Sequence, residues 1–211
     1  MKIGIIGAGN IGSTAAKLFV KAGHEVAISN SRGPETLDAL AAELGDNAEA
    51  STVENARDFG DIVFISIPLG KYTALPTAGW ENKIVIDSNN YYPERDGQFA
   101  ELDSGETTSS ELLENHLPGA RIVKGFNTIW FEHLKTQGDT SLPLAKRRAL
   151  FIAGDDSQAK GTVAKLIEDI GYAAVDGGFL HEGGKAQQPG STIYGMELTA
   201  AEAAKTLNAG A

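Results

Sequence analysis

The chain has 211 residues, which suffices for one large domain or for one domain with an extension. A hydrophobic content of 42% with mixed charges is typical of a globular protein that buries a core. The formal net charge of -10 argues against nucleic acid or an anionic membrane surface as a partner, because both polyanions would be repelled. The absence of cysteine excludes disulfides, thiolate nucleophiles and cysteine-ligated metals. With no recognisable signal peptide and no run of roughly 20 apolar residues, we expect a soluble cytoplasmic protein.

The first residues predict a nucleotide-binding unit. An apolar strand, Lys2–Ile6, leads into the turn Gly7-Ala8-Gly9-Asn10-Ile11-Gly12, and a helical pattern follows from Ser13 to Ala22. A G-x-G-x-x-G turn between a strand and a helix is the dinucleotide-binding arrangement. Gly7 permits the tight turn, Gly9 lets a pyrophosphate approach the backbone, and Gly12 lets the helix lie close to the sheet. The N–H groups and the dipole at the start of the helix favour phosphates.

The end of the second strand predicts which nucleotide is preferred. NAD sites usually have Asp or Glu at this position, where the carboxylate binds the ribose hydroxyls. Here Ser29 is followed by Asn30, Ser31 and Arg32, and no carboxylate occurs before Glu35. An arginine with small donors suits a 2'-phosphate, which a carboxylate would repel. The sequence therefore favours NADP over NAD, although Arg32 has the alternative role of a solvated turn residue.

Apolar runs and helical patterns alternate along the rest of the chain, which predicts parallel strands joined by right-handed helical crossovers. We expect a Rossmann-type, doubly wound, mostly parallel α/β sheet over residues 1–130. Residues 131–211 add two strands and helices that either extend this sheet or form a small lobe, and we expect them to complete the substrate site. Between these elements we expect a helix within Lys71–Ala78 and a loop over Gly177–Lys185.

Three loops follow predicted strands and are expected to meet at one end of the sheet, where α/β proteins bind ligands. Ile67 and Pro68 offer an apolar surface for a flat nicotinamide ring, although Pro68 also has the simpler role of ending a strand. Asn127, like Asn89 and Asn90, carries an amide that can bind a carboxamide or carbonyl, or can stabilise a turn. Lys124 either attracts an anionic cofactor or caps the edge of the sheet.

No catalytic residue and no metal site are predicted. His133 and His181 are the plausible acid or base candidates among the four histidines, but neither has a partner at a recognisable spacing, so structural roles are favoured. The sequence contains no H-E-x-x-H motif and no paired metal-ligand spacing.

Five segments together resemble the deazaflavin-dependent NADP oxidoreductase family, whose second cofactor is coenzyme F-420 (F420). They are Gly7 to Gly12, Ser29 to Arg32, Ser66-Ile67-Pro68, Ile86-Asp87 and Val123 to Thr128. The resemblance implies reversible hydride transfer between NADPH and a stacked deazaflavin in a homodimer. It also implies phosphate contacts by Asn10 and Ile11 and 2'-phosphate contacts by Ser31 and Arg32. Such a transfer depends on proximity and orientation more than on an acid or a base.

Several functions remain open from the sequence. Gly125, where the family more often has Ala, and the aromatic loop Asp87–Asp96 leave the small-molecule acceptor undecided among a deazaflavin, a flavin, a quinone, an imine and a small carbonyl. One alternative is an NADPH-dependent reductase related to the β-hydroxyacid or pyrroline-carboxylate enzymes, which usually add a long helical carboxyl-terminal domain. Another is an NADP-binding sensor without turnover, because a fold does not fix a function.

Overall fold

Short apolar runs form the strands, as expected for a sheet that helices cover on both faces. A computed structural model describes residues 1–209 of the chain. Within them, eight strands form one sheet in the order β3-β2-β1-β4-β5-β6-β7-β8. The strands are β1 Lys2–Ile6, β2 Glu25–Ser29, β3 Ala48–Ser51, β4 Ile62–Ile65, β5 Ile84–Asp87, β6 Arg121–Gly125, β7 Ala149–Ala153 and β8 Ala173–Asp176.

Helices cover both faces of the sheet, and successive strand residues contribute to different sides. Phe64 packs edge-to-face against Phe19 and Phe126 on one side, with ring centroids 5.9 and 5.2 Å away. Val63 and Ile65 join Trp80 in a second buried cluster. The helices are α1 Asn10–Lys21, α2 Asp38–Leu44, α3 Val53–Phe59, α4 Pro93–Asp96, α5 Ala100–Asp103, α6 Ser109–His116, α7 Phe131–Thr136, α8 Ser157–Asp169, α9 Leu180–Ala186 and α10 Ala200–Ala209.

The strand order reverses at β1, and this reversal creates the crevice in which α/β sheets bind ligands. Ile5 pairs with Ile28 of β2 on one side and with Phe64 of β4 on the other. Strands β1 to β6 are mutually parallel, so their carboxyl ends lie at one edge, which we call the carboxyl edge. This architecture confirms the predicted Rossmann-type, doubly wound, mostly parallel sheet.

The carboxyl-terminal residues extend this sheet. Strand β7 is antiparallel to β6, with Lys124 opposite Ala153 and Gly125 opposite Ile152, and β8 is parallel to β7. Of the two arrangements considered for these strands, an extended sheet and a small lobe, the structure has the first. The segment after α9 returns to the carboxyl edge, where the Gly195 N–H donates to the Thr128 carbonyl over 3.2 Å.

Two predicted elements differ in the structure. The helix expected within Lys71–Ala78 is a 3-10 helix over Leu69–Ala74, because the chain becomes extended at Leu75, immediately before Pro76. The loop expected over Gly177–Lys185 contains most of α9. Throughout residues 1–209, the helices are too short or too polar to cross a membrane.

Candidate functional site: a glycine turn between two hollows

The three glycines of the first turn have different surroundings. Gly7 has a φ of 108°, and a Cβ on it would lie 2.1 Å from the Ser66 carbonyl oxygen. A Cβ on Gly12 would lie 1.9 Å from the Gly7 carbonyl oxygen. Gly9 differs, because no described atom lies within 4 Å of its ideal Cβ position. Gly7 and Gly12 are therefore required by the fold, whereas Gly9 presents a bare backbone to open space.

Helix α1 begins directly after this bare position. Gly9 is the N-cap of α1 and contributes no side-chain hydrogen bond. The first backbone bond of the helix runs from the Ser13 N–H to the Gly9 carbonyl over 2.9 Å. The amides of residues 10–12 precede that bond, so they belong to the set that a helix leaves for an external acceptor. This combination of donors, dipole and free space suits a pyrophosphate.

The corner after β2 is shaped by Asn30. The Asn30 Oδ1 atom accepts hydrogen bonds from the backbone N–H groups of Arg32 and Gly33 over 2.8 and 3.1 Å. The Asn30 amide donates to the Thr36 hydroxyl over 2.9 Å. This predicted binding residue therefore holds the turn that presents Ser31 and Arg32, and both of those residues are exposed. Within residues 1–209, the Arg32 guanidinium has no carboxylate within ion-pair distance.

A groove of about 590 Å³, which we call the corner groove, joins the glycine turn to this corner. The Ile67 N–H at its wall donates to the Asn89 Oδ1 atom over 2.8 Å, which fixes the loop after β4. Of the predicted site residues, this groove collects Gly7, Gly9, Asn30, Ser31, Arg32, Ile67 and Pro68.

A second cavity of about 340 Å³, which we call the phenol hollow, lies on the other side of the glycine turn. It contains the predicted residues Asn10, Ile11 and Asn127. The Asn127 amide donates to the Gln187 carbonyl and to the Asn90 Oδ1 atom over 2.8 and 3.1 Å. Its own Oδ1 atom is buried and has no partner among residues 1–209. The predicted site is thus divided between two hollows, and Ile67 and Pro68 are not in the one that contains Asn127.

Two tyrosines of the phenol hollow were not predicted as site residues. The hydroxyl oxygens of Tyr92 and Tyr194 lie 2.6 Å apart, and the Asn90 amide donates to the Tyr194 oxygen over 3.4 Å. Burial raises the pKa of Tyr194 above its usual value. Tyr92 belongs to the aromatic loop noted in the sequence. Tyr194 lies 102 residues further along the chain, and no sequence signal links the two.

Lys124 does not reach either hollow. Its side chain is 1% exposed, and its ammonium group bonds to the buried carboxylate of Asp87 over 3.0 Å. Ser110 donates to the same carboxylate oxygen over 2.6 Å. The suggestion that Lys124 attracts an anionic cofactor is therefore wrong, because the β6 side chain points into an internal ion pair beneath α6.

Both candidate histidines have carboxylate partners. His133 lies 2.9 Å from Glu197, and His181 lies 2.9 Å from Glu111. Neither histidine is in the lining of the two hollows. In the described part of the chain, no cluster of three or more His, Cys, Asp or Glu side chains has the arrangement of a metal site.

Comparison with known proteins identifies the amino-terminal unit. The family model described as NADP oxidoreductase coenzyme F420-dependent matches residues 2–91, which include the glycine turn, the Arg32 corner and the loop after β4. Residues 2–91 therefore resemble this family of NADP-dependent oxidoreductases, and the resemblance predicted from the sequence is confirmed over them.

Individual relatives extend the similarity beyond residue 91. The crystal structure of the hypothetical protein SMa0349 from Sinorhizobium meliloti is 32% identical, with a TM-score of 0.82, and the match covers 94% of this chain and 95% of that one. A candidate F420-dependent NADP reductase from Arthrobacter sp. FB24 has the same fold, with 23% identity, a TM-score of 0.72 and 88% coverage of each chain.

A curated relative, the metalloreductase STEAP3 of Rattus norvegicus, is 26% identical over 181 residues. The match covers 85% of this chain but 34% of the relative, so the chain spans about a third of the length of that protein.

Proposed function

We propose that the chain transfers a hydride between NADP(H) and a flat acceptor of the deazaflavin or flavin class. The observation that carries this proposal is the open space at Gly9, with a hollow on each side of it and the Arg32 corner at the end of one. A dinucleotide that crosses the glycine turn has its pyrophosphate at the α1 amides and its two nucleosides in opposite hollows.

The residues of the corner groove fit the adenosine half of NADP. Ser31 and Arg32 would bind the 2'-phosphate, because a guanidinium forms charge-assisted bonds with phosphate oxygens. Gly7 and Gly9 would contact the pyrophosphate through their backbone. Ile67 and Pro68 share this groove, so we assign them to the adenosine half or to the middle of the dinucleotide instead of the nicotinamide ring.

The phenol hollow fits the nicotinamide half together with the acceptor. Asn10 and Ile11 line this hollow next to the proposed position of the pyrophosphate. The Asn127 Oδ1 atom, which has no partner among residues 1–209, would accept a hydrogen bond from the amide of a carboxamide. When bound, NADPH supplies the hydride, and the chain contributes the proximity and orientation of the two rings. No acid or base among the histidines is required for this step.

The experiment that tests this function compares nucleotides and then acceptors. We expect NADPH to protect the protein against heat much better than NADH, and reduced 5-deazariboflavin to reduce NADP in its presence. Equal protection by the two nucleotides would contradict the assignment of the Arg32 corner. Turnover of small imines or carbonyls without turnover of deazaflavin or flavin would favour the alternative reductase, and tight NADPH binding without any hydride transfer would favour a sensor.

The family resemblance also leads us to propose that the chain forms a homodimer. Light scattering after size-exclusion chromatography should then give twice the mass of one chain, and a monomer at micromolar concentration would contradict this.

A further inference from the structure

The phenol hollow contains a pair of hydroxyl groups. They have no role in a hydride transfer that depends only on the orientation of the two rings. Tyr92 and Tyr194 both line this cavity, and their oxygens are 2.6 Å apart. The two phenols carry two hydroxyl protons, and the hydrogen bond between their oxygens uses one of them. The other proton belongs to a hydroxyl at the wall of the cavity and is available to a molecule inside it.

The surroundings of the pair indicate which hydroxyl donates to which. The Asn90 amide donates to the Tyr194 oxygen, so that oxygen acts as an acceptor. The Arg95 guanidinium lies 4.9 Å from the centroid of the Tyr92 ring. A cation over the ring stabilises negative charge that develops on the phenol oxygen, so it makes Tyr92 the better hydrogen-bond donor. Both contacts favour donation from Tyr92 to Tyr194, which leaves the Tyr194 proton free for the cavity.

The pair is held rigidly in this position. Arg95 is fixed by bonds to the Asn90 carbonyl and to the Asp96 carboxylate, over 2.6 and 2.8 Å. The same Asn90 amide donates to the Asn127 carbonyl over 2.9 Å, which ties the tyrosines to the loop after β6. Burial keeps the pKa of Tyr194 above its usual value, so this hydroxyl is protonated at neutral pH and gives up its proton only to the more basic nitrogen or oxygen that hydride transfer creates on the acceptor.

We propose that Tyr194 is the catalytic acid of the acceptor site and that Tyr92 is a positioning residue that returns a proton to it. The acceptor class is a conjugated C=N or C=O compound whose carbon takes the hydride while its nitrogen or oxygen takes a proton. This inference rests on the proposed function and deepens it.

The proton and electron balance is complete. A C–H bond of NADPH breaks and a C–H bond forms on the acceptor, so NADPH is oxidised and the acceptor is reduced. The π electrons of the acceptor move to its nitrogen or oxygen, which takes the proton of Tyr194. The Tyr194 oxygen takes the Tyr92 proton across their hydrogen bond, and water reprotonates Tyr92.

The first experiment measures binding without turnover. The full chain is saturated with NADP⁺, and oxidised 5-deazariboflavin is titrated by its fluorescence for the wild type, Tyr194→Phe, Tyr92→Phe and Tyr91→Phe. Tyr91 is the matched control, because its hydroxyl binds Asp103 and the Phe99 N–H outside the hollow. We expect Tyr194→Phe to weaken deazaflavin binding about 3- to 10-fold, with NADPH affinity unchanged, and Tyr91→Phe to have no effect.

The second experiment measures kcat in water and in D₂O. We expect Tyr194→Phe to lower kcat roughly 10²-fold. Tyr92→Phe should lower kcat less and reduce the solvent isotope effect, because one proton moves instead of two. The double variant should be no slower than Tyr194→Phe, because both residues serve one transfer.

A Tyr194→Phe variant within twofold of the wild type in both deazaflavin affinity and kcat overturns the proposal while leaving the proposed function intact. A wild-type chain that binds NADPH but transfers no hydride overturns both. If Tyr194→Phe does not fold, the Tyr92→Phe variant provides the test. A solvent isotope effect in Tyr92→Phe equal to that of the wild type contradicts proton transfer from Tyr92 to Tyr194.

Discussion

At the scale of single residues, the glycine turn separates the requirements of the fold from those of a ligand. A Cβ at Gly12 meets a backbone oxygen at 1.9 Å, whereas a Cβ at Gly9 meets nothing within 4 Å. Gly9 has a φ of -76° and extended backbone that any residue adopts. Neither the backbone angles nor the packing within residues 1–209 therefore require a glycine at position 9. The close approach of a phosphate to the backbone does require one.

Gly9→Ala should consequently leave the fold intact and damage nucleotide binding. We expect its melting temperature without nucleotide to stay within about 2 °C of the wild type, and its NADPH affinity to fall at least about 10-fold, or about 1.4 kcal/mol. Thermal denaturation and NADPH titration by fluorescence check both values. Gly12→Ala is the matched control and should destabilise the free protein by about 1–3 kcal/mol through overpacking. If Gly9→Ala binds NADPH with unchanged affinity, the pyrophosphate does not bind at this turn.

Arg32 tests the choice between the two nucleotides. Arg32→Ala should weaken NADPH binding by about 1–3 kcal/mol and leave NADH binding nearly unchanged, because only NADPH loses a charge-assisted contact. Isothermal titration with both nucleotides provides the measurement. Arg121→Ala is a suitable control, because Arg121 binds the Asn82 carbonyl and Asp156 at the opposite edge of the sheet. Equal losses for NADPH and NADH would mean that Arg32 does not bind the 2'-phosphate.

At the scale of elements, α6 carries two glutamates with opposite electrostatic situations. Burial alone would raise the pKa of Glu111, but hydrogen bonds from His181, Thr108 and Thr107 outweigh it and keep that pKa below its ordinary value. Burial, together with the charges of Asp155 and Glu111, raises the pKa of Glu114. Glu111 also completes the capping box with Thr108 and joins α6 to α9 through His181.

These shifts predict opposite effects of neutralisation. Because the folded pKa of Glu111 is lowered, its contribution to stability is present above its ordinary value of 4.5 and disappears as the pH falls through the lowered value. Glu111→Gln should therefore destabilise the protein by about 1 kcal/mol near pH 7, or about 2–4 °C in melting temperature, and less in acid.

Glu114→Gln is the paired variant on the same helix. The folded state disfavours its ionised form, so removal of that charge should leave stability unchanged or raise it near pH 7. Urea denaturation of both variants at several pH values distinguishes the two cases. Glu111→Gln and Glu114→Gln with the same pH dependence would contradict this assignment of the charges.

The sequence predicted elements where local signals and packing agree. The apolar runs of β4 and β5 indicated buried parallel strands, and the structure contains both. Helix α9 was predicted as a loop, because its glycines are unfavourable in helices when considered alone. In the structure, a Cβ at Gly183 would lie 2.5 Å from the Ala153 Cβ, so this glycine permits close packing on β7. That packing partner is not visible in the local sequence.

At the scale of the whole molecule, the candidate site combines parts that the sequence revealed to different extents. The glycine turn and the Arg32 corner have local motifs, so they were predicted. The phenol hollow depends on Tyr194 and Gln187 approaching the loop after β6 from the carboxyl-terminal segment. That approach requires the antiparallel β7 and the return of the chain after α9, and neither has a local signal. The phenol hollow, where we propose that the acceptor binds, was accordingly the less predictable half of the candidate site.

The complete arrangement predicts which edge of the sheet a nucleotide protects. Saturating NADPH should slow the hydrogen exchange of the backbone amides of Gly7–Gly12, Ser31–Gly33 and Asn127. The reason is that a ligand across the glycine turn covers both hollows at the carboxyl edge. The opposite edge has its own cavity of about 450 Å³, lined by Arg121 and Asp155, and serves as an internal control that should not change. Protection confined to that cavity, or equal at both edges, would mean that the dinucleotide does not cross the turn.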